Sequence, residues 1–197
     1  MKEKIFISTL FILATVIGTL SHELGHYFAA LYYNLHPTLH FGFTEWDDTG
    51  LSAETINKVT PVVTLWGILV TVVVGTSGFL LTLPFKNKIS NHITYYTFPV
   101  LAFFYSRQIF VFALSLVNGN FSNPDINSGD EIKLALLWGM NGSSISVTLA
   151  FIAVLICSLT VLLLPKEKRL TFLIYGFAGS VLGYLLWYRL LGPWLLP

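Results

Sequence analysis

Five apolar stretches dominate this chain, and each is long enough to cross a lipid bilayer. They cover residues 5–33, 59–85, 93–117, 143–164 and 170–191. A hydrocarbon core about 30 Å thick takes about 20 helical residues to span. Of the 197 residues, 54% are hydrophobic and 11% are charged. A water-soluble domain of this size could not bury so much apolar surface. The sequence therefore predicts an all-α polytopic membrane protein with about five transmembrane helices, in contact with the lipid bilayer.

Two smaller features accompany the spans, and residues 1–197 are expected to form a single membrane-embedded domain. Residues 132–138 are apolar at helical spacing but too short to span, which predicts one short partial helix. After the first span, Leu39, Phe41 and Phe43 alternate with more polar residues, and residues 47–50 have turn composition. This pattern indicates a possible small β-hairpin. A plain extracellular loop is the alternative.

The basic residues predict the orientation of the spans in the membrane. Those that flank the spans on one side are Lys2, Lys4, Lys86, Lys88, Lys166, Lys168 and Arg169. The opposite loops are acidic, with Lys58 and Lys133 as their lysines. The positive-inside rule then places the N-terminus in the cytoplasm and the C-terminus outside. The compactness of the chain favours the plasma membrane of a prokaryote, and the net charge of +1 excludes a nucleic-acid binder.

The start of the chain allows a second interpretation. Lys2, Lys4 and the apolar run 5–20 have the composition of a signal peptide. The apolar character resumes over residues 27–33, however, which favours a retained transmembrane helix.

The first span carries the sequence His22-Glu23-Leu24-Gly25-His26. On a helix, positions i and i+4 share a face, so both imidazoles can bind one metal ion. Glu23 lies one step round the helix, where it can take a proton from a water activated by that metal. Two histidines and a glutamate are costly inside an apolar span and usually mark a functional site. The pattern predicts a metal centre with Glu23 as general base.

A catalytic zinc site takes three protein ligands, so a third ligand is expected. His92 is predicted on the far side of the membrane, whereas His36 and His40 lie within reach but in a loop. Asp130 opens the short helix on the same outer side as His26, and Asp125 lies in the preceding loop. We favour Asp130, because ligands on rigid elements are held more accurately. Helix N-capping is the alternative role for Asp130.

Three features in the later spans have structural explanations as well as functional ones. Arg107 lies near the middle of the third span, where it is expected to pair with Asp130 or Glu131 or to contact the substrate or transition state. Gly179 and Gly183 have the spacing of a helix-packing motif. Aromatic residues at the end of the last span are typical of a membrane-interface belt; they are Trp187, Tyr188 and Trp194.

The first three spans and the following loop resemble the site-2 protease family of intramembrane zinc metalloproteases, of which this chain would be a divergent member. The resemblance rests on residues 22–26 in a membrane helix and on an aspartate that opens a later helix. It implies Zn²⁺ held by His22, His26 and Asp130, with Glu23 as base, in a zinc metalloendopeptidase. Its substrates would be transmembrane segments of membrane proteins. The metalloprotease core would cover 1–140, and two additional transmembrane helices would cover 141–197.

Two further expectations accompany this interpretation. An extended substrate is expected to add to the hairpin edge around residues 39–43. The alternative function is a non-catalytic zinc-binding membrane protein such as a sensor, a chaperone or an inactive homologue. A transporter is disfavoured because the chain has no inverted repeat. The sequence predicts no oligomeric state.

Overall fold

The fold is a bundle of helices with one very small sheet. The computed structural model describes residues 1–85, 92–125 and 128–197. The helices are α1 (Lys2–Tyr32), α2 (Ala53–Phe85), α3 (His92–Ala102), α4 (Ser106–Val117), α5 (Asp130–Leu137), α6 (Ser144–Leu163), α7 (Lys166–Leu185) and α8 (Gly192–Leu195). A 3₁₀ turn, Phe103–Tyr105, joins α3 to α4, and a π-helical turn, Leu186–Leu191, joins α7 to α8.

Five helical segments are long and apolar enough to cross a membrane, which confirms the predicted fold class. They are Lys2–Tyr32, Ala53–Pro84, Tyr95–Val117, Ser144–Leu163 and Lys166–Leu195. The short helix α5 follows the third of them, as expected. Large apolar side chains such as Leu13, Phe151 and Phe177 are exposed on the outside of the bundle. These surfaces are suited to lipid, and the chain is a multi-pass membrane protein.

Helix α2 forms the centre of the bundle and contacts α1, α3 and α5. Helix α1 lies between α2 and α7, and α4 packs against α6. The predicted glycine motif lies at the contact between α1 and α7. A Cβ atom on Gly179 would meet the Ser8 carbonyl oxygen at 2.4 Å, and one on Gly183 would meet the Ile12 backbone at 3.0 Å. The absence of side chains at these positions lets the two helices approach closely, as the spacing predicted.

The N-terminal ends of α1 and α7 lie side by side. The Lys168 ammonium group contacts the Glu3 carboxylate at 2.7 Å. The basic residues at these two helix starts therefore share one end of the bundle, in the arrangement that the orientation prediction requires. Lys86 and Lys88, which were part of that prediction, lie outside the described residues.

The hairpin after α1 is present, but its turn differs from the predicted one. Strands β1 (Thr38–Leu39) and β2 (Thr44–Glu45) pair antiparallel, with Leu39 opposite Thr44. The turn therefore falls at residues 40–43, and the alternation of Leu39, Phe41 and Phe43 does not describe one continuous strand. Residues 47–50 form a separate turn before α2, where the Asp47 carboxylate accepts a hydrogen bond from the Thr49 amide at 2.9 Å. The aromatic side chains pack around the turn: Phe41 contacts Tyr188, and Phe43 stacks on His40.

Candidate metal centre

Two histidines and one aspartate bring three ligand atoms together inside the bundle. His22 and His26 lie one helical turn apart on α1, and Asp130 is the first residue of α5. The Asp130 Oδ2 atom lies 2.9 Å from His22 Nε2 and 3.3 Å from His26 Nε2, and the two Nε2 atoms are 3.1 Å apart. Tetrahedral zinc with bonds of about 2.0–2.1 Å has its ligand atoms about 3.3 Å apart. The three atoms therefore have the spacing that a zinc ion needs.

The hydrogen bonds orient Nε2 of both imidazoles toward this point. The Nδ1 atom of His26 lies 2.8 Å from the Val63 carbonyl oxygen, which can only accept, so Nδ1 carries a proton. For His22, Nε2 lies 2.8 Å from Nη2 of Arg107, and a guanidinium can only donate, so Nε2 accepts. The His22 proton is therefore on Nδ1, 3.1 Å from the Thr71 hydroxyl. Nε2 is thus the nitrogen that each ring presents to Asp130.

Close approach of α1 and α2 makes this geometry possible. A Cβ atom on Gly25 would lie 2.7 Å from the Trp66 carbonyl oxygen, and one on Gly67 would lie 2.2 Å from His26 Nε2. Neither position has room for a side chain. Gly25 therefore serves helix packing within the His22–His26 motif, and Gly67 provides the space that the His26 ring occupies.

The chain enters α5 through a glycine that turns Asp130 inward. Gly129 has φ of 122° and is the residue that caps the helix. Asp130 is thus the first helical residue and makes no capping hydrogen bond, so the alternative N-cap role is wrong. Burial by itself raises the pKa of the Asp130 carboxyl, but the adjacent side chains of His22 and His26 outweigh it and hold the pKa well below its usual value. The carboxylate is therefore ionised at neutral pH.

The other candidate ligands do not join the cluster. Asp125 lies exposed in the loop, where its amide donates to the Ser128 hydroxyl at 3.3 Å. His36 and His40 are not part of the metal-ligand group found among the described residues. The side chain of His92 lies outside the described part of the structure. The choice of Asp130 over Asp125 thus agrees with the geometry.

Glu23 is buried beside the cluster and is held by the hairpin. Glu23 is 6% exposed. The Thr44 hydroxyl at the start of β2 lies 2.9 Å from the Glu23 carbonyl oxygen and 3.2 Å from its Oε2 atom, and its single proton is shared between them. The hairpin thus contacts the carboxylate that the sequence predicts as a general base.

Arg107 makes both of the ion pairs that were considered for it. Its Nη1 donates to Glu131 Oε1 at 3.0 Å, and its Nη2 lies 3.3 Å from Asp130 Oδ2. Glu131 is 1% exposed. The consecutive acidic residues at the start of α5 therefore serve two purposes: Asp130 faces the histidines, and Glu131 anchors the guanidinium.

The last span reaches the site in a way that the sequence did not indicate. Trp187 is 4% exposed, and its indole N–H donates to the Phe41 carbonyl oxygen at 2.7 Å. The interface-belt interpretation of Trp187 is therefore wrong, because the ring is buried in protein. Tyr188 is also partly buried and packs against the hairpin, whereas Trp194 is 79% exposed, as expected of a belt residue. No local sequence signal distinguishes these three aromatic residues.

A cleft of about 400 Å³ opens next to the hairpin, between β2, the start of α2, and α5. Thr44, the hydrogen-bond partner of Glu23, lines it, together with Lys133 one turn along α5 from Asp130. Burial lowers the pKa of the Lys133 ammonium group, which lies 4.8 Å from the centre of the Trp46 ring. The remaining lining residues are Glu45, Trp46, Asp48, Ile56, Asn57, Thr60 and Leu137. The cleft therefore adjoins the site through Thr44, which separates it from Glu23.

Comparison with known proteins yields no relative of this chain: no family model, no curated protein and no solved structure matches it.

Proposed function

We propose that this chain is an intramembrane zinc metalloendopeptidase that hydrolyses peptide bonds in or near transmembrane segments of membrane protein substrates. The observation that carries the proposal is the convergence of two imidazole nitrogens and one carboxylate oxygen, those of His22, His26 and Asp130, beside a buried glutamate. The order of these groups along the chain, His22-Glu23-x-x-His26 and then Asp130, resembles that of the site-2 protease family.

The charges around the cluster support a divalent cation. Three carboxylates meet there, those of Glu23, Asp130 and Glu131, and Arg107 supplies one positive charge. When all three carboxylates are ionised, two negative charges remain in a buried environment, where uncompensated charge is costly. A Zn²⁺ ion held by His22, His26 and Asp130 balances them. Imidazole and carboxylate are ordinary zinc ligands, and two histidines with one carboxylate are a known catalytic set.

When bound, zinc would lower the pKa of a water molecule and polarise the scissile carbonyl group. Glu23, oriented by Thr44, accepts a proton from the attacking water and then delivers it to the leaving amine. Arg107 stays attached to Glu131 through Nη1, and its Nη2 donor faces the same point as the ligand atoms. In this structure that donor binds His22 Nε2 and Asp130 Oδ2. With zinc held by these atoms, the donor would be released to stabilise negative charge on the oxygen of the substrate carbonyl.

The position of the site supports a substrate that lies in or near the membrane. His26 and His22 lie 6 and 10 residues before the last residue of α1, Tyr32, or about 9 and 15 Å along the helix axis. The cleft beside Thr44 lies between the hairpin, the start of α2 and α5, next to the residue that holds Glu23. We further propose that the hairpin end faces the outside of the cell and that the N-terminus is cytoplasmic, in the plasma membrane of a prokaryote.

A non-catalytic zinc-binding role is the competing function. A structural zinc site usually completes its coordination with a fourth protein ligand. Among the described histidine, cysteine and acidic residues, three lie close enough together to bind one metal ion, namely His22, His26 and Asp130. Glu23 is held beside that group by a dedicated hydrogen bond from Thr44, an arrangement that a purely structural ion does not require.

The test compares the wild-type protein with Glu23→Gln in detergent, before and after treatment with a zinc chelator. Metal content is measured by elemental mass spectrometry, and cleavage is measured on a panel of labelled transmembrane peptides. We expect about one zinc per chain in both proteins and cleavage by the wild type alone. Chelation should abolish cleavage, and added zinc should restore it.

The outcomes separate the two functions. Zinc in both proteins with no peptide cleaved, even in lipid vesicles, would favour the non-catalytic role. Equal cleavage by the wild type and Glu23→Gln would rule out Glu23 as the base. Wild-type protein that binds no zinc during purification or reconstitution would overturn both functions.

A further inference from the structure

We propose that Trp187 and Tyr188 in the last span are positioning residues for Glu23, acting on it through the hairpin. The inference rests on the proposed function and extends it, because the last two spans lie outside the region that resembles the site-2 protease family. A series of contacts connects the π-helical turn to the hairpin turn, and the hairpin to Glu23 through Thr44.

The π-helical turn, Leu186–Leu191, places two consecutive aromatic residues against the hairpin. An α-helix interrupted in this way contains an extra residue, which changes the direction of the side chains that follow; such turns occur frequently at functional sites. Trp187 inserts its indole toward Phe41, and the Tyr188 ring packs against Phe41 with the ring centres 5.8 Å apart. Tyr184, one turn earlier, stacks on Tyr188 at 4.6 Å and supports it.

The contacts hold the backbone of the hairpin turn on both sides. The Phe41 carbonyl oxygen accepts from Trp187 Nε1 at 2.7 Å, and the Phe41 amide donates to the Leu196 carbonyl oxygen at 3.1 Å. The next residue, Gly42, lies so close to Tyr188 that a Cβ atom there would be 2.7 Å from the ring. Both polar groups of one turn residue are thus bound to the last span. The hairpin edge at Phe41, where a substrate strand was expected to add, is already occupied.

Because the hairpin turn is held in place, the position of Thr44 is held as well. The turn contains four residues, and its closing hydrogen bond runs from the His40 amide to the Phe43 carbonyl oxygen at 3.0 Å. Thr44 follows directly, and its hydroxyl orients Glu23. Rotation of the turn would move this hydroxyl, and a carboxylate that acts as a base must be held within hydrogen-bond reach of the proton it accepts.

The experiment is a double-mutant cycle on the full-length, zinc-loaded protein, combining Trp187→Phe with Thr44→Val. The phenylalanine keeps an aromatic ring but removes the indole N–H, and the valine removes the hydroxyl that holds Glu23. We expect Trp187→Phe to lower kcat about tenfold with KM little changed. Because both changes act through one hydrogen bond to Glu23, the double variant should be no slower than Thr44→Val alone.

Two measurements that do not depend on cleavage accompany the cycle. Amide hydrogen exchange of residues 40–45 should be faster in Trp187→Phe, and zinc content should stay at the wild-type level. Trp194→Phe is the matched control, since Trp194 lies on the same segment and is exposed; it should change none of these quantities. A Tyr188→Phe variant, which keeps the ring that packs against Phe41, should leave hairpin exchange unchanged.

The results also distinguish this inference from the proposed function. If the wild type cleaves no substrate, the proposed function fails and the positioning role fails with it. If the wild type cleaves but hairpin exchange is unchanged in Trp187→Phe, the positioning role is overturned and the protease stands. Additive losses of kcat in the cycle would also overturn it. Faster exchange together with a non-additive loss supports it.

Discussion

The α-carbon of Gly67 faces the imidazole of His26, and a Cβ atom added there would lie 2.2 Å from Nε2, the nitrogen that points at the candidate metal position. Gly67 belongs to α2 and His26 to α1. The two helices are therefore in close contact at the proposed site, and the absence of a side chain on Gly67 leaves the space that the His26 ring occupies.

Gly67→Ala should therefore displace the His26 ring and weaken zinc binding by about 100-fold or more, because one of three ligands loses its position. Competition with a fluorescent zinc chelator would measure the affinity. Gly18→Ala is the control, since a Cβ on Gly18 meets the Phe104 ring at an ordinary 3.6 Å. An unchanged zinc affinity in Gly67→Ala would show that His26 is not a ligand.

Thr71→Val should lower zinc affinity about 10- to 100-fold, the usual effect of losing a residue that orients a metal ligand. The Thr71 hydroxyl is the acceptor for the His22 Nδ1 proton, and valine has nearly the same shape without an acceptor. Thr82→Val tests whether any threonine loss in α2 has this effect, because its hydroxyl bonds the Gly78 carbonyl oxygen of its own helix. Equal affinities for the two variants would contradict the orienting role of Thr71.

Asp130→Asn and Asp125→Asn should behave differently. The first replaces an ionised group that lies 2.9 and 3.3 Å from the two histidine nitrogens, so zinc should be lost on dialysis. The second changes an exposed loop residue and should leave one zinc per chain. Elemental analysis of the purified proteins distinguishes them. Zinc retained by Asp130→Asn and lost by Asp125→Asn would assign the third ligand to the loop.

Glu131→Gln should destabilise the bundle by roughly 2–3 kcal/mol, because the Arg107 guanidinium loses its buried partner. This value lies at the lower end for broken buried pairs, since the Arg107 side chain is 28% exposed and Asp130 remains beside it. Denaturation by SDS in mixed micelles would measure the change. Arg107→Met combined with Glu131→Leu should be more stable than Glu131→Gln alone. If the double variant is less stable than Glu131→Gln, the attraction between Arg107 and Glu131 stabilises the bundle by more than the burial of the two charges costs.

Much of the fold could be predicted because its causes are local in sequence. A run of about 20 apolar residues is sufficient for a membrane helix, and the i, i+4 spacing of His22 and His26 is sufficient to place both rings on one face. Asp130 could be chosen over Asp125 from the apolar helical pattern that follows it. Arg107 was conspicuous because a charge inside a span needs a partner.

The remaining features depend on contacts between distant parts of the chain. The hairpin turn at residues 40–43 is bound by the last span, and the bond from Trp187 to Phe41 joins residues 146 positions apart. No periodicity within residues 38–50 contains that information. The different partners of Asp130 and Glu131 likewise come from distant segments, since the histidines lie on α1 and Arg107 on α4.

The attachment of the hairpin to the last span has a consequence for biosynthesis. The chain is synthesised from its N-terminus, so both histidines, Asp130 and Arg107 enter the membrane before Trp187 and Leu196 leave the ribosome. Until then, the two backbone groups of Phe41 lack the partners that bind them in the folded chain. In the proposed protease, the base would be aligned only by a segment made later than the metal ligands, so the enzyme would be silent while its own helices insert into the membrane.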